Sequence, residues 1–197
     1  MDNNLIKELR EQTGAGMMEI NSALKEAAGD KEKAVEILRK KGALKSAKKQ
    51  GRSANEGLVE SYIHPGGRVG VLLEVNCETD FVARTEDFKH LVKELALHIA
   101  AANPLYVNMA DVPAEVVEKE KEIYKEQSAS GGKGKPEEIL NKILEGKIAK
   151  YYEEACLMEQ PFAKNGDIKV KDLIGEAVGK MGENVVVKRF ARFVLGN

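Results

Sequence analysis

The stretch "RVGVLLEVNCETDFVAR", residues 68–84, decides the fold class of this chain. Apolar residues recur at every second position from Val69 to Cys77, so their side chains share one face of a β-strand. An earlier β-rich run, "GLVESYIH", is separated from this strand by "PGG" at residues 65–67. The pattern therefore predicts an antiparallel hairpin with a glycine-containing turn.

The junction after the second strand places Asp80 beside Phe81 in a polar setting. In one interpretation Phe81 packs inward, and Thr79 or Asp80 caps the following turn. In the other, the two side chains protrude as a probe, because an aromatic residue can fill a pocket on a partner protein. The residue pattern by itself leaves both interpretations open.

The remaining pattern predicts an α+β fold. An apolar stripe from Phe88 to Ile99 and another from Val170 to Met181 indicate helices, and "NVVVKRFARFVL" indicates a late strand. This strand is expected to join the hairpin in a three-stranded antiparallel sheet with helices on one face. Between the stripes, two charged helices are expected to begin near Pro113 and Pro136. A flexible connection at 128–135 joins them, and a loop, "EQPFAKNGD", follows.

The segment before the hairpin predicts a small helical module. Apolar residues recur at helical spacing in three short runs, with a turn at "TGAG" and a start signal at Asp30. We expect a three-helix module at 1–42, a basic linker at 43–56 and an α+β core at 57–197. Seven basic residues and no acid lie between Arg39 and Arg52. Such a run is either a solvated segment or a patch that attracts RNA or an acidic partner.

Composition excludes several classes of function. The 197 residues carry a net charge of −1, which argues against wholesale electrostatic capture by nucleic acid, so no direct nucleic-acid partner is expected. No apolar run approaches the ~20 residues that span a membrane, so a cytoplasmic protein is expected. Cys77 and Cys156 are far apart and are expected to be buried free thiols. His90 and His98 are interpreted as surface or helix-flank residues. No catalytic constellation, metal cluster or phosphate loop is recognisable, which predicts a binding protein without a cofactor.

Two long motifs resemble one family. "EVNCETDFVAR", residues 74–84, and "LREQTGAGMMEINSAL", residues 9–24, are similar to elongation factor Ts of the short, bacterial type. "EQPF" and "VKDLI" follow in the order of that family, and the resemblance covers essentially the whole chain. It implies a ubiquitin-associated-like three-helix module and a nucleotide exchange factor for the translational GTPase elongation factor Tu.

The resemblance also implies roles for particular residues. Asp80 and Phe81, within the segment from Thr79 to Val82, match the part of the family that inserts beside the magnesium site of the GTPase. That insertion displaces a helix which helps to hold the ion, and GDP binding weakens. The N-terminal positions that match contacts to the GTPase nucleotide-binding domain are Lys7, Arg10, Met17 and Met18.

The chain departs from the family in two places. Asn21 and Ser22 stand where a Lys-Lys pair is usual, which puts a charge contact there in question. Longer relatives have two core subdomains, whereas this chain has one hairpin unit, so the resemblance implies a homodimer that rebuilds the larger core. His64 then matches a histidine that touches the GTPase from the second protomer.

Two further classes of function stay open at this point. The N-terminal module could act as an adaptor for ubiquitin-like or other small partners, with a core that only dimerises. The basic segment could bind RNA, although it contains no aromatic residues to stack on bases. An enzyme is the weakest interpretation, because the titratable residues do not converge.

Overall fold

The computed structural model describes residues 3–131 and 137–196. Contacts divide them into two compact units. The first contains the residues up to Leu97 with those from Lys171 onward, and the second contains His98–Val170. Helices and an antiparallel sheet combine in an α+β fold, which confirms the predicted class.

The chain begins with three helices, and groups of strands and helices follow. In order they are α1 Asn3–Thr13, α2 Met17–Glu26, α3 Lys31–Ala47, β1 Glu56–Ile63, β2 Val69–Cys77, α4 Asp80–Ala83, α5 Glu86–Ala102, α6 Ala114–Gly131, α7 Glu137–Ala155, β3 Pro161–Phe162, β4 Asn165–Lys169, α8 Val170–Met181 and β5 Val185–Val194. Short 3-10 helices lie at Met109–Asp111 and Leu157–Glu159.

The first unit contains a three-stranded antiparallel sheet in the order β1-β2-β5, as predicted. The central strand β2 pairs Val75 with Leu58 on one side and with Val187 on the other. Its alternate residues are buried, because the pleat turns every second side chain to the same face. Buried residues of this face and of α5 supply much of the core: Val71, Leu73, Val75, Cys77, Val185, Val187, Phe88, Leu91, Val92 and Leu95.

Helices α1 to α3 also belong to the first unit. They enclose a cluster of buried apolar residues: Leu9, Ile20, Ala23, Leu24, Ala27, Ala34 and Leu38. Asp30 caps α3 as expected, because its side chain accepts a hydrogen bond from the Lys33 N–H at 3.1 Å. The helix does not end near residue 42, however. It continues through Ala47, since the sequence "ALKSA" at 43–47 consists largely of good helix formers.

Small residues bring α3 close to α8. A Cβ atom at Gly179 would stand 3.9 Å from the Cα of Gly42, and one at Gly175 would stand 3.8 Å from the Ser46 hydroxyl. The residues that begin the expected basic linker are therefore helical and packed. The division of the chain into module, linker and core stays a prediction.

Gly57 allows β1 and β2 to approach closely. Its φ is +146°, and a Cβ atom there would stand 2.1 Å from the Val75 carbonyl oxygen. Replacing Gly57 with alanine is expected to lower the free energy of unfolding by about 2–4 kcal/mol, through backbone strain and a displaced strand. Urea denaturation measures the change. Gly146→Ala on α7, where a Cβ atom meets nothing within 4 Å, is the control and should be neutral or slightly stabilising.

The second unit contains the long helices α6 and α7. Val112, Ala155 and Cys156 form a buried cluster, around which three tyrosine and two valine side chains pack: Tyr106, Tyr151, Tyr152, Val116 and Val117. Helix α6 continues to Gly131, so the first part of the expected flexible connection is helical. The rest of that connection, and the expected helix start at Pro136, lie outside the described residues.

The expected loop "EQPFAKNGD" is not entirely irregular, and this prediction was wrong. It contains β3 and the first residues of β4, which continues to Lys169, and the two strands pair as a short antiparallel hairpin in which Phe162 faces Asn165. Phe162 is buried and its ring lies 5.9 Å from the His98 ring. The alternation is only a few residues long, which is why periodicity did not reveal it.

His98 is fully buried, so its interpretation as a surface or helix-flank residue was also wrong. Its Nδ1 accepts a hydrogen bond from the Ala163 N–H at 3.1 Å, and its Nε2 lies 2.9 Å from Gln160 Oε1. The Gln160 amide in turn donates to the Glu154 carbonyl at 2.7 Å. This network fits a neutral ring that carries its proton on Nε2. Desolvation lowers the pKa of His98 below its ordinary value of 6.5, although the Gln160 contact opposes the shift.

The buried His98 ring predicts a dependence of stability on pH. Because the folded-state pKa is lowered, the unfolded chain binds the proton more readily. The free energy of unfolding is therefore expected to decrease as pH falls from about 6.5, the ordinary value, toward the lower folded-state pKa. Urea denaturation at several pH values above and below the ordinary histidine pKa of about 6.5 measures this change in the free energy of unfolding.

His98→Asn should remove this component of the pH dependence. His90→Asn is the matched control, because the His90 side chain is 77% exposed on the same helix α5. Identical pH dependence in the wild type and in His98→Asn would contradict the assignment.

Candidate partner-binding site

The segment from Thr79 to Val82 forms a tight turn at the end of the central strand. Thr79 has an extended backbone, and its hydroxyl accepts a hydrogen bond from the Val82 N–H at 3.4 Å. This is the capping arrangement that threonine favours at a helix N-terminus. The four-residue helix α4 then directs Ala83 into the interior. The residues between Thr79 and Ala83 are thereby placed on a short, defined backbone.

The structure distinguishes between the two interpretations of Phe81. Its side chain does not pack inward: 78% of the residue is exposed, an unusual state for a phenylalanine. Asp80 beside it forms an ion pair with Arg84 at 2.9 Å, with 45% of the Asp80 side chain exposed. Ala83 takes the buried position of the turn. Phe81 and Asp80 therefore present an aromatic ring and a carboxylate to the surroundings of the protein.

A second carboxylate, from a distant part of the sequence, holds this turn. Glu183 follows α8, and its Oε2 accepts hydrogen bonds from the Thr79 N–H at 3.0 Å and the Glu78 N–H at 3.1 Å. Its Oε1 accepts from the Thr79 hydroxyl at 2.6 Å. We call these three bonds the Glu183 clamp. Sequence reasoning missed Glu183, because 104 residues separate it from Thr79 and no local pattern connects them.

The N-terminal candidate residues are all on the surface. Lys7 and Arg10 lie exposed on α1. Met17 and Met18 begin α2 and are 57% and 86% exposed, so neither belongs to the buried cluster of the three helices. Flexible thioether side chains in such positions suit contact with a partner protein.

Asn21 and Ser22, the residues at the departure from the family pattern, also lie on α2. Ser22 is exposed, whereas Asn21 is partly buried. The Asn21 carboxamide oxygen has no hydrogen-bond partner among the described residues. Neither side chain carries a charge, so this part of α2 offers a partner polar groups only.

His64 lies at the tip of the β1–β2 hairpin. Its backbone N–H donates to the Val69 carbonyl at 2.9 Å, and its Nδ1 lies 3.1 Å from the Tyr62 hydroxyl. The side chain is exposed. The hairpin therefore presents a histidine whose ring orientation is restrained by a neighbouring tyrosine.

The outer face of the sheet is apolar. We define this outer sheet face by six exposed side chains on the side opposite the core: Val59, Ile63, Leu72, Val186, Phe193 and Leu195. Phe193 and Leu195 are 69% and 63% exposed, and they line a shallow groove with Ile63 and Leu72. One ion pair, between Arg189 and Glu74 at 2.7 Å, crosses the face. Exposed apolar side chains gathered around a groove are typical of interaction surfaces.

The basic segment is less positive than its sequence implies. Among its basic side chains that the structure describes, four form ion pairs with glutamates: Arg39, Lys40, Lys41 and Arg52. The partners are Glu176, Glu36, Glu26 and Glu78. These pairs reduce the positive field that an RNA backbone would require.

Other classes of site find little support in the part of the chain that the structure describes. Within residues 3–131 and 137–196, no group of three or more His, Cys, Asp or Glu side chains is arranged to hold a metal ion. Cys77 and Cys156 are buried free thiols, as expected, and burial raises the pKa of each to about 11. Such thiols are poor nucleophiles. None of the helices in these residues has the length and apolar character to cross a membrane.

Comparison with known proteins agrees with the motifs. The family model described as Elongation factor TS matches residues 3–197. Elongation factor Ts of Caldanaerobacter subterraneus subsp. tengcongensis is 58% identical over 97% of this chain and 94% of its own length. Elongation factor Ts of Heliobacterium modesticaldum is 59% identical, over 98% of this chain and 88% of its own length. Elongation factor Ts of Carboxydothermus hydrogenoformans is 57% identical over the same shares. With matches of this extent, the chain belongs to the elongation factor Ts family of translation elongation factors.

Proposed function

We propose that this protein is the guanine nucleotide exchange factor of elongation factor Tu and acts in the cytoplasm. The observation that carries the proposal is the exposed pair of Asp80 and Phe81, held on a turn that Thr79 caps. An exposed ring on a rigid backbone can enter a gap in a partner with little loss of conformational entropy. The proposal assigns this role to the segment from Thr79 to Val82.

The mechanism requires no covalent chemistry. Phe81 would enter between helices of the GTPase, and Asp80 would place negative charge beside the site of the magnesium ion. Both effects weaken the hold on Mg²⁺ and GDP. By thermodynamic linkage, a protein that binds the nucleotide-free GTPase more tightly than the GDP-bound form must lower the affinity of the GTPase for GDP by the same factor. The chain therefore needs a differential binding surface, with no catalytic residue and no cofactor of its own.

The N-terminal module would provide a second contact with the GTPase. Met17 and Met18 are exposed apolar side chains at one end of α2, and Lys7 and Arg10 add positive charge on α1. An apolar centre with charged residues around it is the usual composition of a binding patch. This contact would hold the GTPase while Asp80 and Phe81 act on its nucleotide site.

We also propose that two copies associate through the outer sheet face. Its apolar residues are exposed in one copy, and an antiparallel sheet with one apolar outer face can pack on a second such sheet. The Arg189–Glu74 pair lets two equivalent faces match in charge, since each face carries one of each sign. In such a dimer His64 of one copy would reach the GTPase bound to the other.

Stopped-flow release of a fluorescent GDP analogue from elongation factor Tu tests the exchange function. The full chain should accelerate release in proportion to its concentration until it saturates. An adaptor would bind the GTPase without accelerating release, and an RNA-binding protein would bind RNA with an affinity that falls steeply with salt. The ion pairs of the basic segment and the exposed Phe81 favour exchange over both alternatives.

A further inference from the structure

Two acidic side chains hold the turn and the end of α8 to each other. The Glu183 clamp binds the backbone of Glu78 and Thr79. In return, Glu78 Oε1 accepts a hydrogen bond from the Asn184 N–H at 2.7 Å. The Glu183 carboxylate thus binds backbone N–H groups at the end of β2, and the Glu78 carboxylate binds a backbone N–H group after α8. Hydrogen bonds to a charged acceptor are stronger than those between neutral groups.

The end of the basic segment joins the same arrangement. The Asn184 amide donates to the Arg52 carbonyl at 2.9 Å, and the Arg52 guanidinium lies 3.6 Å from Glu78 Oε1. The backbone before β1, the end of β2 and the turn before β5 therefore meet at Glu78 and Glu183. All three segments belong to the first unit.

The sheet does not need this arrangement in order to pair its strands. Cys77 already faces Val185 in the antiparallel ladder between β2 and β5. The Glu183 clamp acts beyond that ladder, on the two residues that immediately precede Asp80 and Phe81. It fixes both the backbone of Thr79 and the hydroxyl that caps α4. Its structural effect is concentrated on the turn.

We propose that Glu183 is a positioning residue for Phe81: it holds the turn in the one orientation in which the ring points outward before any partner binds. This inference rests on the proposed exchange function and adds a residue outside the family motif to its machinery. Without the clamp, the Thr79 hydroxyl and the N–H groups of Glu78 and Thr79 lose their shared acceptor. The turn would then sample several orientations, and only a fraction of molecules would present Phe81 correctly.

The expected consequence is a change in rate with little change in partner binding. Glu183→Ala should lower the maximal rate of GDP release about five- to tenfold, because the competent orientation is less populated. The concentration for half-maximal acceleration should change less, since the N-terminal contact with the GTPase remains. Glu183→Gln keeps one oxygen that can accept from both backbone N–H groups and should restore most of the rate. Glu176→Ala, which removes an exposed glutamate of α8, is the matched control.

A second readout follows the turn in the free protein. The chain contains no tryptophan, so Phe81→Trp introduces a single tryptophan into the turn, and its fluorescence can be excited separately from that of the five tyrosines. Time-resolved anisotropy should show a larger nanosecond component when Glu183→Ala is added to Phe81→Trp, and no change when Glu176→Ala is added. Circular dichroism establishes that each variant is folded. If Glu183→Ala does not fold, the same comparison is made with Glu183→Gln, for which a smaller increase is expected.

The outcomes separate the two proposals. Unchanged anisotropy in both Glu183 variants would overturn the positioning role, whatever the exchange assay shows. Equal slowing by Glu183→Ala with and without Phe81→Ala would also overturn it, because Glu183 would then act independently of the ring. If Phe81→Ala accelerates GDP release as much as the wild type does, the exchange mechanism fails. A larger nanosecond component of the anisotropy when Glu183→Ala is added to Phe81→Trp would still support the clamp.

Discussion

Replacing Phe81 with alanine is expected to slow the accelerated release of GDP from elongation factor Tu about tenfold or more, because a central aromatic anchor typically contributes about 2 kcal/mol or more to an interface. The ring is 78% exposed in the free protein, so its removal takes nothing from the core. Stability should therefore stay within about 0.5 kcal/mol of the wild type, as for other surface substitutions. Stopped-flow release measures the first quantity and urea denaturation the second.

The matched control for this change is Leu105→Ala. Leu105 is also a large exposed apolar residue, at 62%, but it lies in the second unit and has no assigned role. Its replacement should leave the rate of GDP release unchanged. Asp80→Asn tests the neighbouring charge with almost no change in shape, and a smaller reduction in rate is expected. Full acceleration by Phe81→Ala would refute the insertion mechanism.

Replacing Phe193 with aspartate is expected to dissociate the proposed dimer. Phe193 is 69% exposed and lies on the edge strand β5 of the outer sheet face, opposite Gly70 of the central strand β2. In a twofold dimer the substitution occurs twice, and each buried carboxylate opposes association. A cost of about 3 kcal/mol in total corresponds to roughly a hundredfold higher dissociation constant.

Light scattering at several protein concentrations measures this change. The wild type should show the mass of two chains, and Phe193→Asp the mass of one. Leu105→Asp adds the same charge at an exposed apolar residue of the second unit, which is not part of the outer sheet face, and should remain dimeric. A wild-type chain that is monomeric both alone and with the GTPase would refute the dimer. The same measurement on mixtures with elongation factor Tu gives the stoichiometry of the complex.

The two experiments also bear on His64. If it touches the GTPase from the second copy, Phe193→Asp should remove the effect of His64→Ala on GDP release. Phe81→Ala should keep its effect in the monomeric variant, because that ring and its turn lie within a single chain. This comparison separates contacts made by one copy from those made across the dimer.

Much of the fold could be predicted from local patterns. The alternation from Val69 to Cys77 is long enough to specify a strand and its buried face. Asp30 at the start of α3 and Gly182 after α8, with φ +81°, mark helix ends by chemistry that acts within a few residues. Predictions failed where the local signal was short or ambiguous. The β3–β4 hairpin spans only a few residues, and His98 was assigned by its polarity, although its position three residues after Leu95 lies on the buried stripe.

The candidate site also has one part that local patterns predict and one part that they do not. Local residues are enough to predict the turn: a buried strand ends at Cys77, Thr79 can cap, and Phe81 follows, in motifs that match the elongation factor Ts family. Periodicity could not determine the direction of the ring, because in a four-residue helix either face can be buried. The outward direction of Phe81 depends on tertiary contacts. The reason is a long-range contact: Glu183, 104 residues from Thr79, binds the turn from the side, and Ala83 fills the interior position that the ring would otherwise take.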